Sequence, residues 1–377
     1  MTEPGSKLRT VGSTDLASAL AAALDGGPVV APLPSDPVER RRALAVLRPD
    51  RPVTEPDAAV VVTTSGSTGR PKAAVLSRSA IRASVEAAHN RLGGPGDWVL
   101  ALPGHYVAGL MVLARTVLSK TRTWPVRSDL RDLPATVAHL SGRRYLSLVP
   151  TQLSRARRQD RVWEALAAFD AVLLGGGRTD AGLLAHARAS GIPVVPTYGM
   201  SETCGGCVYD GKPLDGVGVR VGAQGRISLA GPVLFDGYAG DAAATVQVLR
   251  DGWFLTSDVG RIDDDGRLVV LGRADDVVVS GGVNVALPAV TQALAGLSGI
   301  RDAAAVGVPD DEWGTRVVAC LVGSVAPTIS DVRDHVAAVL PRTWAPRAVV
   351  LVDALPLLAN GKLDRLALQR IAADAGP

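Results

Sequence analysis

Short apolar runs alternate with segments of helical periodicity between about residues 58 and 199, and this alternation restricts the fold more than any other feature. The apolar runs, interpreted as buried strands, are residues 60–64, 98–102, 145–149, 171–174 and 193–197. Helix candidates lie between them at residues 79–92, 109–118, 151–159 and 180–190. Strand–helix–strand alternation predicts a mainly parallel sheet that is covered by helices on both faces.

The pattern changes in the last third of the chain. Residues 216–272 contain short strand-like segments separated by glycine turns, which predicts a small β-rich subdomain. Beyond Arg273, strand-like runs at 277–279, 303–307 and 317–322 interleave with helix candidates at 288–295 and 331–340. We therefore predict an α/β protein with an N-terminal domain at residues 1–272 and a small α+β domain at 273–377. Domains contain about 150 residues on average, so a chain of this length is expected to form two of them.

Composition excludes several functional classes. The formal net charge of +3 over 377 residues is small for a dedicated nucleic-acid or membrane-surface protein. No stretch approaches the roughly 20 apolar residues of a membrane span. Residues 16–24 are apolar but short and lack a basic flank, so they indicate a helix and not a signal peptide. The cytoplasm is the expected compartment, with no nucleic-acid partner and no membrane insertion.

The cysteines do not indicate a disulfide framework, because the chain contains only three of them. Cys204 and Cys207 have the spacing of zinc ligands, but no second pair of matching spacing follows. Because structural zinc sites need four ligands, packing or a loop is favoured over a metal site at this position.

A loop rich in glycine and hydroxyl groups follows the first predicted strand. Residues 63–74 contain a run of candidate phosphate ligands, namely Thr64, Ser65, Gly66, Ser67, Thr68, Gly69 and Lys72. Glycines free backbone amides to form an anion-binding concavity, hydroxyls add donors, and the lysine adds positive charge. The spacing departs from that of the P-loop nucleotidases. A polar surface turn between strand and helix remains the alternative interpretation of this loop.

Four later segments contain residues that suit a nucleotide site. Tyr198, Glu202 and Thr203 follow a predicted strand end, where ligands commonly bind in α/β sheets. Tyr198 could stack on a base, Glu202 could hold Mg²⁺ with phosphate oxygens, and Thr203 could donate to a phosphate. The other segments contain Asp258, which could accept both ribose hydroxyls, Gly272–Asp276 with Ser280–Gly282 beyond it, and Asn360–Arg365.

Each of these residues has an ordinary alternative. Glu202 could be an acid in the first turn of a helix, Asp258 a turn residue, Arg273 a surface cation, and Lys362 a solvated lysine. Lys362 is nevertheless one of only five lysines in the chain, against 35 arginines. Their joint occurrence in this order favours the functional interpretation.

Taken together, these motifs resemble those of the acyl-adenylate-forming superfamily of acyl-CoA synthetases, luciferases and peptide-synthetase adenylation domains. The resemblance extends over nearly the whole chain. Residues 64–72 resemble the family's phosphate loop, 198–202 its Tyr-Gly-x-Ser/Thr-Glu motif, and 272–275 its hinge-bordering Gly-Arg-x-Asp motif. Ala73 and Ser257 depart from the family pattern, because each replaces a glycine.

The resemblance implies a two-step reaction with ATP, Mg²⁺ and coenzyme A. A substrate carboxylate would attack the α-phosphate of ATP, and a thiol would then displace AMP. The nucleotide ligands that it implies are the loop residues with Lys72, the Gly175, Gly176 and Gly177 backbone, Tyr198, Asp258 and Arg273. It also implies that Lys362, Glu202 and Thr203 are catalytic, with Glu202 on the metal. The mobile C-terminal domain would rotate at Asp275, so that Gly281 and Gly282 line the thiol's approach.

Within the superfamily, residues 145–155 and 174–177 are similar to the o-succinylbenzoate–CoA ligases of menaquinone biosynthesis. A dianionic acid of this kind needs a second cation, for which Arg155 is the candidate. His105 matches the family's gate position beside the acyl pocket, although a buried structural histidine is an equal alternative.

Three other functions stay open, and a homodimer is compatible with all of them. The acid could be another aryl or fatty acid, or the chain could be a free-standing adenylation domain that loads a carrier protein. It could also be a nucleotide-binding regulator without catalysis.

Overall fold

The computed structural model describes residues 7–64, 71–222, 225–324, 327–358 and 363–375. Its helices are α1 Leu16–Leu24, α2 Pro37–Leu47, α3 Arg78–Leu92, α4 Val107–Ser119, α5 Leu133–Val137, α6 Pro150–Ala156, α7 Asp160–Leu166, α8 Ala181–Ala189, α9 Ala242–Val248, α10 Leu287–Leu294, α11 Ile329–Ala337 and α12 Arg365–Asp374. Short 3₁₀ turns lie at Ser201–Thr203, Ala274–Asp276 and Arg342–Trp344. No helix in the described ranges is both long and apolar enough to cross a membrane.

The strands in the first part of the chain are β1 Arg9–Val11, β2 Val30–Pro32, β3 Ala58–Thr63, β4 Ala73–Ser77, β5 Asp97–Leu100, β6 Thr123–Pro125, β7 Arg144–Leu148, β8 Ala171–Leu174, β9 Val194–Met200, β10 Gly205–Tyr209 and β11 Lys212–Pro213. They are followed by β12 Gly218–Val221, β13 Arg226–Ala230, β14 Gly237–Tyr238, β15 Leu249–Arg250, β16 Trp253–Ile262, β17 Leu268–Arg273, β18 Val277–Ser280, β19 Val283–Ala286, β20 Ile300–Asp310, β21 Gly314–Gly323 and β22 Ala348–Leu351.

The chain divides into two compact units. The first comprises Met1–Arg220, Ser228–Thr256 and Asp263–Leu268, and the second comprises Val221–Ile227, Ser257–Ile262 and Val269–Pro377. Two short segments from the β-rich region therefore group with the C-terminal part of the chain. The domain boundary between residues 272 and 273 stays a prediction.

The parallel sheet of the first unit has the strand order β11-β10-β9-β8-β7-β5-β6. All pairs from β6 to β9 are parallel, while β10 and β11 are antiparallel additions at one edge. Predicted strands near residues 98, 145, 171 and 193 are confirmed as β5, β7, β8 and β9. Most residues of β5, β7 and β8 are buried, as expected for strands covered by helices, whereas in β9 only Val194 is buried and the other residues are partly exposed.

The first predicted strand belongs to a different sheet, with the order β1-β2-β3-β4-β14. The expectation of a single sheet is therefore wrong for β3. After β3 the chain returns as β4, which pairs antiparallel with it, so residues 64–72 join two strands and not a strand and a helix. β4 was not predicted, although its five residues form a buried run like those of the predicted strands.

The β-rich region forms a third sheet with the order β12-β13-β16-β15 and with β17 paired to β16. This sheet confirms the small β-rich subdomain. The division into units falls within β12, β13, β16 and β17, so each of these strands contributes residues to both units.

The second unit contains a β18–β19 hairpin and a three-stranded sheet of β20, β21 and β22. Strand β20 alternates between two apolar clusters, since Ala303 and Ala305 pack with α10 and α11 while Ala304 and Val306 pack with α12. Alternate side chains of a strand point to opposite faces, which explains the helices on both sides. The predicted α+β character of this region is confirmed.

Candidate active site

The base of the glycine-hydroxyl loop is closed by direct hydrogen bonds. The Thr64 amide donates to the Lys72 carbonyl at 2.7 Å, and the Lys72 amide donates to Thr64 Oγ1 at 3.3 Å. Ala73 follows Lys72 as the first residue of β4 and is 4% exposed, so the alanine in this family position is accommodated in a strand. The remaining predicted phosphate ligands, Ser65, Gly66, Ser67, Thr68 and Gly69, lie outside the described residues.

The carboxyl ends of neighbouring parallel strands carry several predicted site residues at one edge of the sheet. His105 lies beyond β5, Arg155 in α6 beyond β7, the Gly175–Gly177 segment beyond β8, and Tyr198 in the last part of β9. Ligand sites of α/β sheets commonly form at this edge. Sheet topology thus explains why residues distant in sequence share one side of the first unit.

The glycine segment and the Tyr198 motif approach each other closely, because β8 and β9 are neighbours. A Cβ atom on Gly175 would overlap Thr197 Oγ1, and one on Gly199 would overlap the Gly205 carbonyl oxygen. Gly176 has a positive φ of 77°. The glycines in both motifs therefore serve a close backbone approach, which leaves backbone groups accessible at the sheet edge.

Glu202 lies in the 3₁₀ turn after β9 and is 9% exposed. Its Oε1 atom accepts a 2.8 Å hydrogen bond from the Tyr238 hydroxyl, and its backbone carbonyl accepts from the Phe235 amide at 3.0 Å. The Lys72 ammonium lies 4.5 Å from the centroid of the Tyr238 ring. Lys72, Glu202 and Tyr238 together are termed the phosphate-end cluster below.

Tyr238 was not predicted from the sequence. Its contacts join β14 to a turn far away in the chain, and only a Gly-Tyr dipeptide without local periodicity marks it. Burial raises the pKa of Tyr238, and the nearby Glu202 carboxylate raises it further. The hydroxyl therefore stays protonated and donates to Glu202.

Thr203 is fully buried, and its hydroxyl lies within hydrogen-bonding distance of the Gly205 carbonyl at 2.7 Å and the Met200 carbonyl at 3.2 Å. The same oxygen accepts from the Met200 amide at 2.9 Å. These bonds stabilise the turn that carries Glu202. The predicted donation from Thr203 to a phosphate stays a prediction.

Cys204 and Cys207 are buried free thiols. Burial raises the pKa of both, to about 12 for Cys207. Both thiols are therefore protonated at neutral pH, and Cys204 packs in the apolar core of the first unit. Among the described residues, His, Cys, Asp and Glu side chains form no group of three that could hold a metal.

His105 contacts its neighbour Tyr106, with the ring centroids 4.2 Å apart and the ring planes tilted by 49°. Burial lowers the pKa of His105 and, with Glu39, raises that of Tyr106 to about 12. The buried His105 Nε2 has no hydrogen-bond partner within the described part of the chain. The imidazole is therefore neutral at pH 7, and its role beside an acyl pocket stays a prediction.

Arg155 is exposed on α6, whereas its neighbour Gln152 is buried. Gln152 Nε2 donates to the carbonyls of Ala101 and Ser128, and its Oε1 accepts from the Val149 amide. Gln152 thereby fixes the ends of β5 and β7 relative to each other. It belongs to the stretch that suggested the acid specificity, but its structural role was not predicted.

The second unit brings Asp258 and Arg273 together, because β16 and β17 are paired strands. Arg273 Nη1 lies 3.9 Å from Asp258 Oδ1, and the two side chains are 34% and 14% exposed. Gly272, which precedes Arg273, has a φ of 157°, and a Cβ atom there would lie 2.7 Å from Pro288 Cγ. The Gly-Arg motif thus places its arginine next to the predicted ribose ligand.

Gly281 and Gly282 form the two-residue turn between β18 and β19, with φ values of 58° and 77°. Positive φ at both central residues is typical of tight hairpin turns and favours glycine. A Cβ atom on Gly281 would lie 2.6 Å from Trp313 Cε3. Structure alone therefore accounts for both glycines, and their contact with a thiol substrate stays a prediction.

The predicted hinge and the segment before α12 are linked within the second unit. Asp275 lies in the 3₁₀ turn Ala274–Asp276, and the buried carboxylate of Asp276 forms an ion pair with Arg365 at the start of α12. The Asp364 amide donates to the Pro356 carbonyl at 2.8 Å. Lys362, the predicted catalytic lysine, lies outside the described residues.

Comparison with known proteins gives consistent matches along the chain. The family described as AMP-binding enzyme matches residues 6–238, and the AMP-binding enzyme C-terminal domain matches residues 289–362. A probable 2-succinylbenzoate–CoA ligase of Mycobacterium tuberculosis strain H37Rv is 45% identical over 350 residues, covering 90% of this chain and 91% of that protein.

Solved structures agree with this result. The o-succinylbenzoate coenzyme A synthetase of Bacillus subtilis in complex with ATP and magnesium ion is 27% identical, with a TM-score of 0.72 over 82% of this chain and 70% of that one. The same synthetase with its acyl-adenylate intermediate superposes with a TM-score of 0.76 over 94% of this chain and 80% of that one, at 24% identity, and supports the fold. With a family match over most of its length and a relative this similar, the chain belongs to the family of AMP-binding enzymes.

Proposed function

We propose that this protein is an ATP-dependent, AMP-forming acid–CoA ligase that activates 2-succinylbenzoate for menaquinone biosynthesis. The phosphate-end cluster carries the proposal, because it places a cation and a buried carboxylate at the base of a glycine-hydroxyl loop. The similarity to a probable 2-succinylbenzoate–CoA ligase over nearly the full length of both chains supports the choice of acid.

The first half-reaction joins the acid to AMP. A carboxylate oxygen of the acid attacks the α-phosphorus of ATP, the bond to the bridging oxygen of pyrophosphate breaks, and acyl-AMP forms. Positioning and charge neutralisation dominate reactions of this type. Lys72 is proposed to bind pyrophosphate oxygens, and Lys362 is proposed to bridge the carboxylate and the α-phosphate.

Mg²⁺ is the proposed cation of this step. Enzymes often bind Mg²⁺ through one or two carboxylates together with substrate phosphates, so one buried carboxylate suffices on the protein side. Glu202 fits this requirement, because it is buried and the Tyr238 hydroxyl holds one of its oxygens in place. The bound cation would supply charge neutralisation at the phosphates.

The remaining proposed nucleotide contacts are described for each unit by itself. In the first unit, the Gly175–Gly177 backbone and Tyr198 are proposed to hold adenine. In the second, the paired Asp258 and Arg273 side chains are proposed to bind ribose and phosphate.

The second half-reaction transfers the acyl group. The sulfur of coenzyme A attacks the acyl carbon, the bond to the AMP oxygen breaks, and the thiol proton is released. We propose that the C-terminal domain rotates at Asp275 between the two steps, which withdraws Lys362 and brings Gly281 and Gly282 to the thiol. A hinge of this kind allows one crevice to serve two reactions.

The acid site has fewer structural constraints. Arg155 is exposed on α6 and is proposed to pair with the second carboxylate of the acid, while His105 and Tyr106 are proposed to border the aromatic ring. A neutral imidazole suits this position, because it adds no charge that would compete with Arg155.

ATP–pyrophosphate exchange with a panel of carboxylic acids tests the proposal. We expect 2-succinylbenzoate to support the fastest exchange and benzoate or long-chain acids to support little. Fastest exchange with one of those acids would assign a different acid–CoA ligase. Thioester formation on carrier phosphopantetheine but not on free coenzyme A would assign a carrier-loading adenylation domain, and ATP binding without exchange would assign a regulator.

A further inference from the structure

We propose that Tyr238 is a positioning residue that orients Glu202 for the nucleotide-bound cation, an inference that rests on the proposed adenylation chemistry. Tyr238 reaches the two charged members of the phosphate-end cluster through different atoms. Its hydroxyl contacts Glu202, and its ring contacts Lys72. These two contacts can therefore be removed separately.

The backbone of Tyr238 is fixed on both sides. It lies opposite Ala74 in the antiparallel β4–β14 pair, directly beside the strand that Lys72 precedes. The Tyr238 amide donates to Thr245 Oγ1 at 2.9 Å. Gly237 has a φ of 146°, and a Cβ atom there would lie 2.8 Å from Thr245 Cγ2, so the chain needs glycine at this approach.

The ring of Tyr238 is also held in place. It packs edge-on against Phe235, with centroids 5.0 Å apart and an interplanar angle of 63°. Phe235 in turn donates its backbone amide to the Glu202 carbonyl at 3.0 Å. The segment that contains Phe235 and Tyr238 thus binds Glu202 through its backbone and its side chain, so the carboxylate has a fixed orientation before nucleotide binds.

Burial strengthens the hydrogen bond between the Tyr238 hydroxyl and the Glu202 carboxylate. Tyr238 is 7% exposed and Glu202 is 9% exposed, so water competes little for either group. A hydrogen bond to a buried carboxylate is stronger than one between neutral partners. Groups that orient a metal ligand in this way commonly change metal affinity or activity by roughly 10- to 100-fold when they are removed.

The ring of Tyr238 contacts the second charged residue of the cluster, Lys72. An ammonium group 4.5 Å from a ring centroid gains a cation–π attraction, which restrains the flexible lysine side chain. Loss of the Tyr238 hydroxyl alone should therefore weaken the binding of Mg²⁺. Loss of the whole ring should also weaken the binding of ATP in the absence of Mg²⁺.

Two variants separate these effects. Tyr238→Phe removes the hydroxyl and keeps the ring, and Tyr238→Leu removes both. We measure ATP affinity by calorimetry with Mg²⁺ and with EDTA, and the Mg²⁺ concentration for half-maximal pyrophosphate exchange. For Tyr238→Phe we expect a rise of about 10-fold in that concentration and unchanged ATP affinity in EDTA. For Tyr238→Leu we expect weaker ATP binding in EDTA as well.

Tyr209→Phe is the matched control, because Tyr209 is 1% exposed and its hydroxyl accepts from Arg115 Nη2 at 3.4 Å. It should lower the melting temperature about as much as Tyr238→Phe while keeping wild-type Mg²⁺ dependence. Wild-type Mg²⁺ dependence in Tyr238→Phe, or an equal change in Tyr209→Phe, would overturn the role of Tyr238. The exchange measurement requires an acid substrate, whereas calorimetry uses none, so the comparison of ATP affinity with Mg²⁺ and with EDTA tests Tyr238 independently of whether 2-succinylbenzoate is the substrate.

Discussion

The proposed nucleotide ligands of the two units are stabilised in different ways. In the first unit, Glu202 is almost buried and accepts a 2.8 Å hydrogen bond from a neutral hydroxyl. In the second unit, Asp258 and Arg273 form a longer 3.9 Å ion pair, and the arginine is one-third exposed. Water screens a long, partly exposed ion pair, which contributes little to stability and is easily rearranged.

This difference separates a preorganised site from an adaptable one. A carboxylate fixed before binding needs no reorganisation when charge develops at the phosphates. The 3.9 Å ion pair between Asp258 and Arg273 contributes little by itself, so its replacement by contacts with a ribose and a phosphate costs little. We therefore expect substitutions in the first unit to impair cation use, and those at Asp258 to impair nucleotide affinity.

Lys362→Ala should have the largest effect and tests the proposed role of the C-terminal domain. Loss of its positive charge at the reacting carboxylate should lower pyrophosphate exchange by about 10³-fold. Conversion of supplied acyl-AMP to the CoA thioester should stay near the wild-type rate. Lys212→Ala, at an exposed lysine, is the control. Undiminished exchange in Lys362→Ala would remove this residue from the first half-reaction.

Glu202→Gln should lower pyrophosphate exchange by about 10²-fold, because the neutral glutamine side chain binds Mg²⁺ less strongly than a carboxylate does. The glutamine oxygen can still accept the hydrogen bond from the Tyr238 hydroxyl. Raised Mg²⁺ should recover part of the rate. Glu164→Gln, at an exposed position on α7, should have no effect. Exchange kinetics over a range of Mg²⁺ concentrations provide the measurement, and a variant with unaltered Mg²⁺ dependence would contradict the assignment.

Asp258→Asn should raise the KM for ATP about tenfold, since a hydrogen bond to a charged group contributes roughly 1.5 kcal/mol. Its kcat should change less. Wild-type enzyme should discriminate against 2′-deoxy-ATP, whereas the variant should discriminate little. Equal discrimination by both proteins would show that Asp258 does not bind the ribose.

The two units should also respond differently to acid. Burial and the nearby Arg115 lower the pKa of His89 in the first unit to about 4, whereas an unfolded histidine titrates near 6.5. Because the folded state resists protonation, stability falls as the pH drops from 6.5 to 4, by about 3 kcal/mol in total. Burial raises the pKa of Asp302 in the second unit, and this shift adds stability as the pH falls.

Hydrogen exchange followed across this pH range measures the difference between the units. Protection should decline first in the first unit, and His89→Gln should weaken that dependence on pH. An equal decline in both units, or an unaltered slope in His89→Gln, would contradict the account.

The site residues predicted from the sequence lie in contiguous motifs. Glu202 and Arg273 were proposed because neighbouring residues of their own strands and turns mark them. Tyr238 was missed because a two-residue strand carries no periodicity, and its contact with Glu202 arises only through the pairing of β14 with β4. Tertiary contacts of this kind leave no local signal in the sequence.

Fold prediction succeeded and failed for similar reasons. The strands β5, β7, β8 and β9 were predicted from buried apolar runs, whereas β4 was missed and β3 was assigned to the wrong sheet. Apolar runs report burial but not the identity of the neighbouring strand. The predicted helix at 151–159 is in fact the shorter α6, followed by the separate α7, because the chain turns between Ala156 and Asp160.

Identification of the reaction products tests the central claim most directly. The protein is incubated with ATP, Mg²⁺, coenzyme A and 2-succinylbenzoate, and the products are separated, identified and quantified by mass spectrometry. We predict equal amounts of AMP, pyrophosphate and 2-succinylbenzoyl-CoA, with no AMP when the acid is omitted. Release of ADP in place of AMP, or AMP formation that does not depend on the acid, would contradict the account.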